Sequence, residues 1–418
     1  MFGPGESSIV VECASNSTCT VIHSILTSLI LFVVLLTGFA YTTVLERRFL
    51  AFLQARVGPN RAGPYGLLQP VADGIKLIFK EDITPAHAQK VVFWIAPMVK
   101  VVPALIVLAV VPFGPKIAVP WFDGKWYRLS QGLVDVNVGV LWLMGITSIG
   151  IYGIVLAGWS SNNKYAMLGG LRSSAQMVSY ELPLAMAIAS PLLVTNTLNL
   201  RQIVELQGGF YAGFLPKWTI FALPAPQILA FLIFLIAAFA ETNRVPFDLP
   251  EAESELVAGF HTEYSSMMFA SFFMAEYANI ITICCVATVL FLGGWHPLWP
   301  SQYGSDLVPV ALLAGAGLIL LYHAAQAARQ RKWDRFTFPV FGIVLVALSP
   351  VFLVPALKPV LIPFFWFVAK AGFLVFVFIW VRGTLPRFRY DQLMRFAWTF
   401  MFPLALANLL ATGLIVAL

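Results

Sequence analysis

Ten apolar runs punctuate the chain, near 21–44, 90–112, 134–158, 175–195, 226–241, 266–292, 307–327, 338–357, 361–381 and 396–417. A helix needs roughly 20 apolar residues to cross the ~30 Å hydrocarbon core of a bilayer, and most of these runs have them. Inside lipid the backbone must satisfy its own N–H and C=O groups, which leaves helices and closed barrels as spanning structures. The runs are continuous rather than alternating, so they predict helices. Hydrophobic residues make up 59% of the sequence and charged residues only 11%, an apolar surface that a water-soluble fold has nowhere to hide. The expected fold is an all-α polytopic membrane protein, a bundle of about ten transmembrane helices forming one integral membrane domain over 1–418.

The N-terminal tail, 1–20, is polar and lacks the basic stretch of a cleaved leader, so the first run is expected to remain as a helix. Cys13 and Cys19 sit in that tail, whereas Cys284 and Cys285 are neighbours inside an apolar run. That spacing suits neither a zinc site nor a cluster, and no metal is expected on this chain. Neither an internal repeat nor a Ser/Gly linker divides it.

Charge orients the bundle. With the N-terminus outside, the segments after spans 1, 3, 5, 7 and 9 hold 18 of the 26 lysines and arginines and the opposite side holds six. This excess in mostly short loops is the positive-inside pattern, so both termini are expected to face outward and the basic loops the cytoplasm. Deep inside runs lie Lys100, Glu181, Glu276 and Lys370. Each costs several kcal/mol at mid-bilayer unless paired or hydrated.

Three cytoplasmic segments carry the chemistry. The first, 45–89, begins Glu46-Arg47-Arg48 and continues through Arg56, Gly58-Pro59-Asn60-Arg61 and Gly63-Pro64-Tyr65-Gly66, where glycine and proline fix irregular turns. From Leu67 to Phe79 the apolar positions follow helical spacing with Asp73, Lys76 and Lys80 on the other side, which predicts an amphipathic surface helix; a snorkelling basic anchor is the plainer alternative. The second, 241–265, sets the six carboxylates Glu241, Asp248, Glu251, Glu253, Glu255 and Glu263 against Arg244. Asp248 and Glu251 fit a helix-start capping box, which leaves the other four unexplained. Glu251 and Glu255, at i,i+4 spacing, repel one another and so can hold and pass protons near neutral pH. The third, 382–395, sets Arg382, Arg387, Arg389 and Arg395 against Asp391, either fixing topology or holding an acidic partner.

These segments, with Ser179-Tyr180-Glu181-Leu182-Pro183 and Phe273-Met274-Ala275-Glu276-Tyr277, resemble the membrane subunit called H or 1 of proton-pumping NADH:quinone oxidoreductase, respiratory complex I. The strings Gly58-Pro59-Asn60, Gly63-Pro64-Tyr65-Gly66-Leu67-Leu68-Gln69-Pro70, Glu241-Thr242-Asn243-Arg244, Pro246-Phe247-Asp248 and Arg389-Tyr390-Asp391-Gln392 carry the likeness over most of the chain. The resemblance implies a subunit of a multisubunit enzyme at the junction of its peripheral and membrane arms, in a bacterial cell inner membrane. Its cytoplasmic loops would wall a chamber for ubiquinone or menaquinone as substrate, and quinone reduction would be coupled to proton translocation.

Carried over by position, the chamber residues are Arg47, Arg56, Glu241, Arg244, Asp248, Glu251, Glu253 and Glu255, and the proton path is Glu181, Glu241, Glu251, Glu263 and Glu276. No redox centre, catalytic residue or covalently bound cofactor is implied for this chain, since iron–sulfur clusters and FMN belong to partner subunits. The implied partners are peripheral-arm iron–sulfur and quinone-site subunits, small membrane subunits, antiporter-like subunits and lipid, with no nucleic acid. The family usually has eight spans, so the stretch 300–360 is expected to be an inserted transmembrane hairpin. Thr399 stands where some relatives place lysine. The homologous membrane subunit of energy-converting hydrogenases is the nearest alternative. A lone secondary transporter would be expected to show inverted repeats, and a structural anchor has no need of Glu181 or Glu276.

Overall fold

A computed structural model describes residues 10–13, 16–63, 66–120, 125–211, 213–248, 257–327, 334–355 and 357–418. All ten apolar runs are helical. In chain order the helices are α1 (Ser17–Leu53), the short α2 (Gln69–Phe79), α3 (Lys90–Ile106), α4 (Gly139–Ser160), α5 (Lys164–Thr195), the short α6 (Leu200–Leu206), α7 (Ile228–Glu241) and α8 (Ser266–Phe291). There follow α9 (Val308–Ala327), α10 (Asp334–Leu348), α11 (Lys358–Thr384), the short α12 (Tyr390–Phe396) and α13 (Phe402–Ala417), the last two joined by a π-turn over Ala397–Met401. Among the described residues eight helical stretches are long and apolar enough to cross a membrane, and α7 and the Thr337–Leu353 stretch are shorter. The chain is therefore an all-α polytopic membrane protein.

Two helices begin or end beyond their apolar runs for local reasons. Helix α5 starts at Lys164, where the Asn163 side chain accepts a hydrogen bond from the Tyr165 amide, and it ends at Asn196 in the left-handed region, φ 51°. Its first turns are too polar to stand out in a hydropathy reading, yet they are packed: a Cβ on Gly169 would meet Gly259 Cα at 2.6 Å. Helix α1 runs on to Leu53, which places Glu46, Arg47 and Arg48 on a helix rather than in a loop.

The 14 residues of α7 reach only about 21 Å, short of the hydrocarbon thickness. The helix is wrapped by α5, α8, α11 and α13 in the main core, where Phe234, Ala237, Ala238 and Phe239 are buried beside Leu290, Phe291, Phe378 and Met401. A second core joins α3, α4, α5 and α8 to the 259–264 turn through Phe93, Ile154, Met177, Phe260 and Tyr264, with Phe93 and Tyr264 stacked at 4.0 Å.

The connecting segments gather on two sides. On one, strand β1 (Val10–Glu12) pairs parallel with β3 (Trp126–Leu129), which pairs antiparallel with β2 (Ile117–Pro120). Cys13 and Cys19 are joined by a disulfide that packs on Tyr127, and Arg201 reaches Asp135 at 3.1 Å. On the other side Arg47 pairs with Asp73 at 2.8 Å, Ser266 Oγ donates to the Leu77 and Lys80 carbonyls, and the Phe388 amide donates to Pro246 O. Helices α9 and α10 form a hairpin held by close backbone approach. A Cβ on Gly317 would lie 2.8 Å from Gly342 O, and one on Gly342 would lie 3.0 Å from Gly317 O.

Candidate functional site

Where α1, α7, α8 and α11 converge, the buried charges of Glu46, Arg244 and Asp248 meet the partly exposed Arg382 and Arg387. Glu46, on the inner face of α1, is 5% exposed; it accepts from Tyr277 Oη at 3.0 Å, pairs with Arg244 at 3.5 Å and with Arg382. The Arg244 guanidinium also lies over the Tyr277 ring, 4.2 Å from its centroid. Asp248, 3% exposed, is paired with Arg387 at 3.0 Å. Charges buried as Glu46 and Arg244 are survive by mutual compensation, and removing one partner of such a pair costs about 3–5 kcal/mol.

The backbone that presents Arg244 and Asp248 is itself pinned. The Gln176 amide of α5 donates to Ala240 O at 2.8 Å and Phe247 O at 2.7 Å. Asn243 takes a left-handed conformation, φ 51°, that reverses the chain after α7. Tyr180 packs on Phe247 and donates to Leu393 O at 3.0 Å, tying α5 to α12.

Below this network the charges continue into the bundle. Glu276 on α8, 6% exposed, interacts electrostatically with Arg244, Asp248 and Lys100. Lys100 in turn interacts with Glu276 and Glu241, and Glu241 with Glu181. Glu241 ends α7 beside a cavity lined by Met144, Thr147, Asn279 and Thr282, and among the described residues its Oε2 has no hydrogen-bond partner. Glu181 accepts from Ser148 of α4. Glu263 stands at the surface, accepting from Asn163 Nδ2 at 2.6 Å beside His87 and Lys164.

The sequence-predicted residues thus divide. Arg244, Asp248, Glu276, Glu241 and Glu181 form one line of interacting charges, whereas Arg47 and Arg56 are exposed and Arg47 is engaged with Asp73. Glu251, Glu253 and Glu255, and with them the expected capping box, lie outside the described residues. Glu46, Lys100, Tyr277, Arg382, Arg387 and Ser148 join the line without having been singled out for it. The available signals were the place of Lys100 inside an apolar run and the option that Arg382 and Arg387 hold an acidic partner.

The fold and the line of charges define a polytopic membrane protein that carries a compensated ionic network from one face of the bundle into its interior. A sequence profile of the NADH dehydrogenase family matches residues 26–413. The chain is 55% identical to an H-type NADH-quinone oxidoreductase subunit of Solibacter usitatus, across 94% of this chain and 96% of that one. Its identity to the H-type counterpart of Koribacter versatilis is 47% (92% and 94% covered), and to that of Geobacter metallireducens 45% (95% and 96% covered). The chain belongs to the NADH dehydrogenase family of membrane proteins, and the relatives named above are subunits of a multisubunit oxidoreductase.

Proposed function

We propose that this chain is the quinone-site and arm-junction membrane subunit of a proton-pumping NADH:quinone oxidoreductase, coupling quinone reduction to proton translocation. The observation that carries the reading is the network in which the buried Glu46, Arg244 and Asp248 meet the partly exposed Arg382 and Arg387, and which continues through Glu276, Lys100 and Glu241 to Glu181. Reducing a quinone to a quinol takes two electrons and two protons, and the negative charge that develops needs fixed positive groups in a poorly hydrated site. Arg244 answers that need, and carboxylates in low dielectric answer the need for protons by changing protonation state. Arg47, Arg56, Glu251, Glu253 and Glu255 belong to the same chamber in this reading, on sequence grounds, and Glu263 to the proton path.

The quinone, ubiquinone or menaquinone, is substrate; the quinone in the relatives' name supports this over the hydrogenase alternative. Electrons come from iron–sulfur clusters and FMN in peripheral-arm partners, and the lateral partners are small and antiporter-like membrane subunits. We place the termini outside a bacterial inner membrane. The Cys13–Cys19 disulfide supports that orientation, because disulfides persist on the oxidising side. The α9–α10 hairpin is an addition to an eight-span core in this account.

Arg244→Ala tests the reading in the purified complex. Quinone reduction is expected to fall on the order of a hundredfold, the effect of losing one charge-stabilising donor, while reduction of an artificial acceptor by the peripheral arm is unchanged. Equal loss of both activities would mean that Arg244 serves assembly instead.

A further inference from the structure

Lys100 is a buried base that the foregoing account leaves unused. It lies inside α3, 3% exposed, and no hydrogen bond or ion pair within 4 Å engages its ammonium among the described residues. One turn further on, Ala104 packs on Ala275 and Ala278 of α8, so the face that carries Lys100 looks toward α8. Helix α4 offers that face two glycines. A Cβ on Gly153 would come within 2.8 Å of the Lys100 backbone nitrogen, so the two helices can approach this closely only over glycine. At Gly150 the missing side chain leaves a slot beside the lysine: a Cβ there would already touch Lys100 Nζ at 3.8 Å. The charged groups that act on it are Glu276 from α8 and Glu241 from the end of α7, while α4 presents glycine.

We propose that Lys100 is a further member of the membrane proton path, exchanging a proton with the carboxylates of Glu241 and Glu276. The inference rests on the proton-path reading above and extends it from carboxylates to a carboxylate–amine–carboxylate relay. In each step an N–H bond of the ammonium breaks as an O–H bond forms on a carboxylate, leaving a neutral amine and a neutral acid. The reverse step, with the other group protonated as the carboxylic acid, moves its proton to the amine and restores the ammonium and a carboxylate, so net charge is conserved throughout. Lysine suits the position for two reasons. Its four-carbon stem swings between partners, and its amine releases a proton when desolvated, which a guanidinium does not. The Gly150 slot is where the stem can move.

The experiment compares Lys100→Met, Lys100→Arg and Glu241→Gln in the intact complex reconstituted in vesicles, reading NADH:quinone turnover, proton pumping and their pH profiles. Assembly is verified in each by co-purification and by artificial-acceptor reduction, and Lys100→Gln replaces Lys100→Met if the latter does not assemble. Pumping-coupled turnover is expected to fall by about a hundredfold in both lysine variants, the lower end of what a positioned proton-transfer group supplies. The pH profile of any residual activity should shift in Lys100→Arg. Restoration by arginine would overturn proton exchange and leave only a counter-charge. Full activity in both lysine variants beside an impaired Glu241→Gln would overturn the role of Lys100 while the proton-path reading stands. Full activity in all three would sink that reading as well.

Discussion

His261 lies on the turn between the acidic segment and α8, 7% exposed, with Phe260, Phe269 and Phe273 set edge-on around its ring. Burial pushes the imidazole down to about 4 from its ordinary 6.5. Between those values the unfolded chain binds a proton that the folded one refuses, so stability is fully present above about pH 6.5 and is lost as pH falls toward 4. The contribution is about 2 kcal/mol between pH 6.5 and 5. We expect the thermal midpoint of the solubilised complex to fall over that interval, and His261→Gln to flatten the fall even while lowering the midpoint itself. An unchanged slope would remove His261 from the acid response. His296, pushed down to about 4 by burial and the neighbouring Lys370, adds a slope of the same sign. The sequence exposes such residues unevenly. Arg244 and Asp248 stand out as charges between spans, but that Arg382 and Arg387 would clamp Glu46 and Asp248 is a tertiary fact. From sequence those arginines favour a topological role over an acidic partner, and Glu46 reads as the start of a charged cytoplasmic segment.

At the scale of elements, helix positions were legible because lipid forbids any other continuous structure, whereas helix contacts were not, because apolar runs look alike. The glycines decide several of them. Gly153 seats α4 against α3, with Lys100 N, Lys100 Cβ and Ala96 O all within 3.0 Å of where its Cβ would stand. Gly145, on the same helix, has nothing within 4 Å. Gly153→Ala is therefore expected to destabilise the complex by about 1–3 kcal/mol, the usual consequence of overpacking. Gly145→Ala, made as the control, should leave it unchanged or slightly more stable. Thermal midpoints and subunit yield check both, and equal behaviour of the two variants would remove the proposed close packing. The amphipathic helix was legible for a different reason. Val71, Ile75 and Ile78 recur on one face of α2, and all three are exposed where α2 packs beside α1 and α8. The unforeseen start of α5 at Lys164 shows the limit, since a polar extension held by Gly169 against Gly259 has no hydropathy signature.

For the whole molecule, two independent chemistries support the proposed orientation. Basic residues concentrate on the side that holds α2, the 242–248 turn and the α11–α12 link, while the tail disulfide and the β1–β3–β2 sheet occupy the other. Positive charge is retained on the cytoplasmic side, and disulfides form on the opposite one. Cysteine chemistry can test this directly, because Cys284 and Cys285 are buried in α8 and stay silent. In intact spheroplasts, a membrane-impermeant reductant followed by an impermeant maleimide is expected to label Cys13 and Cys19. A Lys164→Cys variant, altered at an exposed position on the other side, should gain its extra label only after the membrane is opened. Labelling of Lys164→Cys from outside, with the tail cysteines protected, would invert the bundle. The Arg244 network would then face away from any cytoplasmic electron donor, and the quinone reading would have no route by which electrons could reach it.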